Sequence, residues 1–236
     1  MVAREINSSV VRVFAACALF TASAALTAGA QGQRVPVEQQ MLEISSANEA
    51  QTVFNSAKNP KDQMTILSLL PGVVSRFKVN PAQSMPTWLN NVLIQGLGSS
   101  NSDVVNATIN QIGYLRAVSL ADNLVAKYGS AQNSTMRIQI IRALGDMASN
   151  IGVALLKSII DTYALCPETD EAIISARKMC ATALVSDISA YASNLDARIT
   201  RGEFVSSKTM SLAAPDESLM IAKGSLQAIV NGSCAQ

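Results

Sequence analysis

Histidine is absent from this chain of 236 residues. Its absence removes the usual general base, the commonest metal ligand and the simplest pH switch. Ser-His and Cys-His nucleophile pairs are impossible without it. Aromatic residues are only 4%, so the core must be built from Ala, Val, Leu, Ile and Met. Charged residues are 15% against 49% hydrophobic, too weakly charged and too apolar for a disordered chain. With 18 basic and 17 acidic residues there is no electrostatic footprint for nucleic acid. No glycine-rich phosphate loop, dinucleotide fingerprint or close pair of zinc-type cysteines occurs, and no cofactor or metal is expected. Ser-Lys chemistry survives only as Ser75–Lys78 and Ser175–Lys178, a spacing that puts both groups on one helix turn. The companion motifs of such enzymes are missing, and a serine-rich chain supplies two such pairs by chance. The Asn-x-Ser/Thr sites at Asn7, Asn106, Asn133 and Asn231 have the same bland explanation.

What is present at the N-terminus has the three-part order of a secretory signal. Arg4 and Arg12 give a positive start, residues 13–28 are uncharged and Ala-rich, and Ala28-Gly29-Ala30 offers small residues to a peptidase. Cleavage is expected between Ala30 and Gln31. The stretch falls short of the roughly 20 strongly apolar residues a span prefers. Lipidation at Cys17 is the alternative, but the apolar run continues well past it. Cleavage leaves 16 basic and 16 acidic residues, and a neutral chain is steered neither to membranes nor to polyanions. No later segment is apolar enough to span a bilayer, so a periplasmic or secreted protein is expected.

Beyond Gln31 the apolar residues recur at spacings of three and four, which predicts an all-α protein. Met41, Ile44, Ala47 and Phe54 suit one helical face. Asn59-Pro60 opens a second helix, with Met64, Leu67 and Leu70 on a stripe that Pro71-Gly72 interrupts. Pro86 starts a third, running through Trp88, Leu89, Val92 and Leu93 to Gly98.

A short pattern, Ile-x-x-(Leu or Ile)-Gly, ends at Gly98, Gly113 and Gly145. The step from Gly113 to Gly145 recurs between Leu115 and Met147, Leu124 and Leu156, and Tyr128 and Ile160. Each unit reads as two helices, at 102–128 and 134–162, with Ser102 and Ser134 as caps. The second helices should span 117–128 and 150–162. The pairs should stack antiparallel, because neither can bury its apolar face alone. The segment Ser134 to Asp146, with Arg137 and Ala143-Leu144-Gly145, resembles the short bacterial type of HEAT-like repeat. The unit at 102–128 departs from it, with Val105 in place of Arg137 and Asn110-Gln111 in place of Arg142-Ala143. The resemblance covers 102–162 and implies a protein-binding scaffold. It also implies a family in which some members do pigment-lyase chemistry, and it carries no catalytic residue onto this chain.

The expected organisation is therefore a signal at 1–30, a helical repeat region at 31–165 and a continuous two-helix cap at 166–236. In that cap Ile173, Ala176, Cys180, Leu184, Ile188, Tyr191, Leu195 and Ile199 hold one stripe, predicting a single long helix from Pro167 to Arg201. Pro215 starts a last helix, with Leu219, Ala222, Leu226 and Ile229 inward and Gly232 as its stop. Such a long helix would separate Cys166 from Cys180 by roughly 20 Å. A last helix returning antiparallel puts Cys234 level with Lys178, roughly 3 Å along the axis from Cys180. This predicts a Cys180–Cys234 disulfide with Cys166 free; three free thiols are the alternative.

The expected function is that of a non-enzymatic scaffold or adaptor whose partner is another protein. The rival is a carrier of a small apolar ligand or lipid, which would need a groove of roughly 300 Å3 or more. Asn123, Lys127 and Lys157 could line a binding face, although solvated helix surface is the simpler reading. No cluster of Trp, Tyr and Arg marks a hot spot in the linear sequence, and Trp88 suits the core.

Overall fold

The computed structural model describes residues 35–204 and 214–234. The expected cleavage at Ala30–Gln31 and Cys17 lie outside them. Among the described residues there are eleven α-helices and no strand. They are α1 (Val37–Glu43), α2 (Glu49–Ser56), α3 (Pro60–Arg76), α4 (Thr87–Leu97), α5 (Ser102–Tyr114), α6 (Ala121–Ser130), α7 (Ser134–Met147), α8 (Ile151–Ile160), α9 (Pro167–Lys178), α10 (Val185–Thr200) and α11 (Pro215–Val230). Short 3-10 turns at Val118–Leu120 and Thr182–Leu184 precede α6 and α10.

Asparagine side chains start three of these helices. Asn59 accepts from the Asp62 N–H, Asn101 from those of Asp103 and Val104, and Asn133 from that of Met136. The expected caps, Ser102 and Ser134, are instead the first helical residues. The caps lie one residue earlier, where the backbone is extended and a side-chain oxygen can reach back to the helix N–H groups. Pro60, Pro167 and Pro215 occupy first helical positions, where their missing N–H costs nothing. Pro86 is the residue before α4 rather than its first.

Three expected boundaries move. The first helix is two, because the Glu49 carboxylate accepts from the Ser45 N–H and the hydroxyls of Ser45 and Ser46. Those bonds fix a turn after Ile44 and hold the Glu49 carboxyl below its ordinary pKa. Pro71 does not stop α3, which continues to Arg76. Leu67, Leu70, Val73 and Val74 on both sides of it are buried, and their packing outweighs about 3 kcal/mol of helix-interior proline cost. The single helix expected over 167–201 is α9 and α10, separated by a turn at Cys180, whose φ is +50°. The segments 166–204 and 214–234 thus hold three helices, not two.

The turn that divides α9 from α10 also divides α5 from α6. Ala117 donates to the Ile112 carbonyl at 3.0 Å, and Ala181 likewise to that of Ala176 at 2.9 Å. Val118 and Thr182 donate to Arg116 and Cys180 at 2.8 Å, and Leu120 and Leu184 to Ala117 and Ala181 at 2.9 Å. Arg116, Ala148 and Cys180 all have φ near +50° and follow one another at the same step as Gly113 and Gly145. The repeat spacing therefore extends to a third helix pair that apolar phase alone concealed.

Helices α1, α3, α5, α7, α9 and α11 pack side by side in that order. Behind them α2 packs on α4, α6 on α8 and α8 on α10. The closest approaches are at glycines. A Cβ on Gly113 would lie 2.8 Å from the Ala143 Cα, and one on Gly145 would lie 2.9 Å from the Ser175 Cα. The two glycines thus occupy matching positions in their helices, each against the corresponding residue of the next helix in the row. Ion pairs edge the α7–α9 seam, with Arg142–Glu171 and Lys178–Asp146 both at 2.7 Å. Lys127 reaches from α6 to the Leu97 carbonyl, and Lys157 joins α8 to Asp187 of α10.

Helix α11 meets α9 through small residues. Its fully buried positions are Ser218, Ala222, Ser225 and Ile229, while the expected Leu219 and Leu226 are only half-buried. Small side chains let the two helices lie close, at the cost of burying hydroxyls. Ser218 donates to Asp170 Oδ2 at 2.8 Å, but Asp170 Oδ1 is buried without a partner. Burial raises the Asp170 pKa against the lowering effect of the Ser218 bond. Because the folded state holds this proton more tightly than the unfolded chain, stability falls as pH climbs from the ordinary carboxylate range to the raised value. Above that value the deficit is constant. Asp170→Asn keeps an acceptor for Ser218 without the buried charge. We expect a stabilisation at neutral pH that disappears below the ordinary carboxylate pKa, read from urea unfolding as a function of pH.

Candidate functional site

The repeated turn brings one end of several helices to a common face. There a cleft of about 550 Å3 opens between the C-terminal ends of α5, α7 and α9 and the tail that follows α11. It is lined at three equivalent steps along the chain. Gly113, Gly145 and Arg177 hold one position, Tyr114, Asp146 and Lys178 the next, and Arg116, Ala148 and Cys180 a third. Within each set the members follow at the repeat spacing. The two glycines keep their helices close.

The cleft is cationic. Lys178 is paired with Asp146 at 2.7 Å, which neutralises both. Arg116 projects from an exposed position between buried Leu115 and Ala117, with no side-chain partner among the described residues. Arg177 is half-buried, and its Nε is buried without an acceptor. Two guanidinium groups are thus uncompensated by any carboxylate lining the cleft. The negative ends of three helix dipoles favour cations here, as Arg177 and Lys178 in the last turn of α9 illustrate. The last turns of α5 and α7 carry no basic residue, so the basic set is not a general feature of these helix ends. Tyr114, 72% exposed, stands at the rim.

Tyr114, Arg116 and Arg177 line one cleft, an aromatic and arginine set that the linear sequence does not display. The repeat offset was its signal: carried one step past Thr162, it aligns 113, 114 and 116 with 177, 178 and 180. The residues that sequence reasoning did single out are placed differently. Asn123 is exposed on α6, away from the cleft lining. Lys127 and Lys157 are engaged in the contacts between helix pairs given above. Ser175 is fully buried and donates to the Ile141 carbonyl at 3.0 Å, while Lys178 is occupied by Asp146. That hydroxyl has no access to a substrate. Ser75 is exposed, and Lys78 lies past the end of α3 at φ +53°. Trp88 is in the core, 4% exposed.

Cys180 and Cys234 both line the cleft and are joined in a disulfide, with Cα atoms 5.6 Å apart. Cys166 is free, at the opposite end of α9 and 3.4 Å from the Thr169 hydroxyl. The geometry differs from a long helix and an antiparallel return. Ser218 meets Asp170 near the starts of α11 and α9, and Cys234 meets Cys180 just past their ends. The two helices are therefore parallel.

Among the described residues, no group of His, Cys, Asp and Glu is arranged to hold a metal, and no helix is long and apolar enough to cross a membrane. A mostly apolar notch of about 270 Å3 lies between α1 and α3, lined by Met41, Leu42, Leu69, Gly72, Val73 and Arg76. No protein-family model matches the chain, and neither a curated protein nor a solved structure matches it.

Proposed function

We propose that this chain is an exported, non-enzymatic HEAT-like α-solenoid that binds another protein through the cleft at the ends of α5, α7 and α9. The observation that carries the reading is the thrice-repeated spacing, which aligns Tyr114, Asp146 and Lys178 on one face. A solenoid presents such a row because each pair repeats the placement of the one before. In this reading α11 closes the stack, with its polar outer face towards solvent. Tyr and Arg at the mouth match the composition of interface anchors. The lack of histidine and the burial of Ser175 support a role without acid–base chemistry.

The carrier reading keeps one observation in its favour: the cleft exceeds the roughly 300 Å3 at which ligand pockets begin. Its charged lining suits an apolar ligand poorly, and the apolar notch by α1 is smaller. A photoreactive amino acid at position 114, and separately at 123 on α6, separates the readings in the native exported fraction. The scaffold reading expects a protein adduct from 114 and not from 123. Adducts of lipid or small-molecule mass at 114 would favour the carrier. The expected cleavage predicts an intact mass that begins at Gln31, and a terminus at a lipidated Cys17 would show that the lipoprotein alternative is right.

A further inference from the structure

We propose that the partner segment seated in this cleft is an acidic peptide, a flexible stretch of Asp or Glu with an aromatic or aliphatic neighbour. The inference rests on the cleft being the binding site and adds the chemistry of what enters it. Three observations converge. Arg116 and Arg177 face the cleft with no carboxylate among the lining residues left for them, since Asp146 is taken by Lys178. Arg177 is half-buried, and its buried Nε–H finds no acceptor, so no carboxylate among the described residues holds its guanidinium. Tyr114 adds a largely exposed ring to the same cleft lining.

A guanidinium recognises a carboxylate through paired, charge-assisted hydrogen bonds, and a partly enclosed site strengthens them. The cleft volume suits a few side chains rather than a folded domain surface. A polyanion such as nucleic acid is disfavoured for a different reason. The charges of the segment 31–236 balance at 16 basic and 16 acidic, so the chain has no extended field to hold a phosphate backbone. Two focused positive groups and one aromatic ring fit a short acidic segment instead. The negative ends of α5, α7 and α9 oppose an anion placed on their axes, and Arg116 and Arg177 are the lining charges that offset them.

The test uses the whole chain and a short fluorescein-labelled peptide rich in Glu and Phe, read by anisotropy at physiological salt. Two further probes are the same peptide with Gln for Glu and an oligothymidylate. The acidic peptide is expected to bind at least about tenfold more tightly than its Gln counterpart. Arg116→Glu should abolish that preference, while Lys61→Glu, an equal charge change at an exposed site on α3, should leave it intact. Arg116 is exposed and outside the core, so its replacement does not threaten folding. Equal binding of the Glu and Gln peptides, no binding of either, or equal loss in both variants would overturn the proposal. Tighter binding of the oligothymidylate would overturn it in favour of polyanion recognition. Failure here is distinct from failure of the scaffold reading. A protein adduct at position 114 without acidic preference leaves the scaffold standing and removes only this inference.

Discussion

Replacing Cys234 with Ser is expected to lower the stability of the protein by about 4 kcal/mol, measured by urea unfolding without reductant. The figure follows from the loop that the disulfide closes, a sequence separation of 54 between Cys180 and Cys234, in the chain-entropy account of cross-links. The structure gives a second reason to expect a large effect. Helix α11 buries two hydroxyls, Ser218 and Ser225, along with Ala222 and Ile229, and Ser225 Oγ has no hydrogen-bond partner. Ala222, Ile229 and the partly buried Leu219, Ile221 and Leu226 supply the apolar burial of α11 against α9 and α10, and the buried hydroxyls offset part of it. Reductant should destabilise the wild-type protein by a similar amount and leave Cys234→Ser unchanged. Hydrogen exchange along α11 should rise before that of α7 or α9. Identical unfolding of wild type and variant without reductant would mean that the two thiols are not joined.

Gly145→Ala is expected to destabilise by about 1–3 kcal/mol, although alanine is the better helix former. The added Cβ would lie 2.7 Å from the Ser175 Cβ and 2.9 Å from its Cα, so α7 and α9 would have to separate. That separation would also strain the Ser175 bond to the Ile141 carbonyl. Gly113→Ala should act alike, against the Ala143 Cα. Gly72→Ala is the opposite case. It sits within α3, an added Cβ there meets nothing within 4 Å, and the substitution should stabilise by about 0.5–1 kcal/mol. Thermal midpoints of the three variants decide it. A stabilised Gly145→Ala would contradict the close approach of α7 and α9.

The sequence by itself determined that the chain is helical and where most helices begin. Spacings of three and four record which side of a helix is buried, and Asn and Pro mark the starts through local bonds and fixed φ. The phase match between the two middle units was equally legible, because Ile109/Ile141 and Gly113/Gly145 repeat as identities. Apolar phase does not record the direction of the chain. The stripe from Ile173 to Ile199 reads the same through a tight turn as through a continuous helix, and only the left-handed backbone at Cys180 separates α9 from α10. Nothing in a cysteine or an arginine announces that conformation; it is adopted because Ala117 and Ala181 beyond the turn are buried against the packed pairs.

The candidate site belongs to tertiary structure for the same reason. Tyr114 and Arg177 are two repeat units apart in the chain and share a cleft because three helices end on one face. Local pattern specifies what each helix buries. Which helix ends meet, which charges they leave unmatched and which cysteines come within bonding distance are decided by the packing of α5, α7, α9 and α11. That packing depends on contacts between residues far apart in sequence, for which a local spacing rule carries no information.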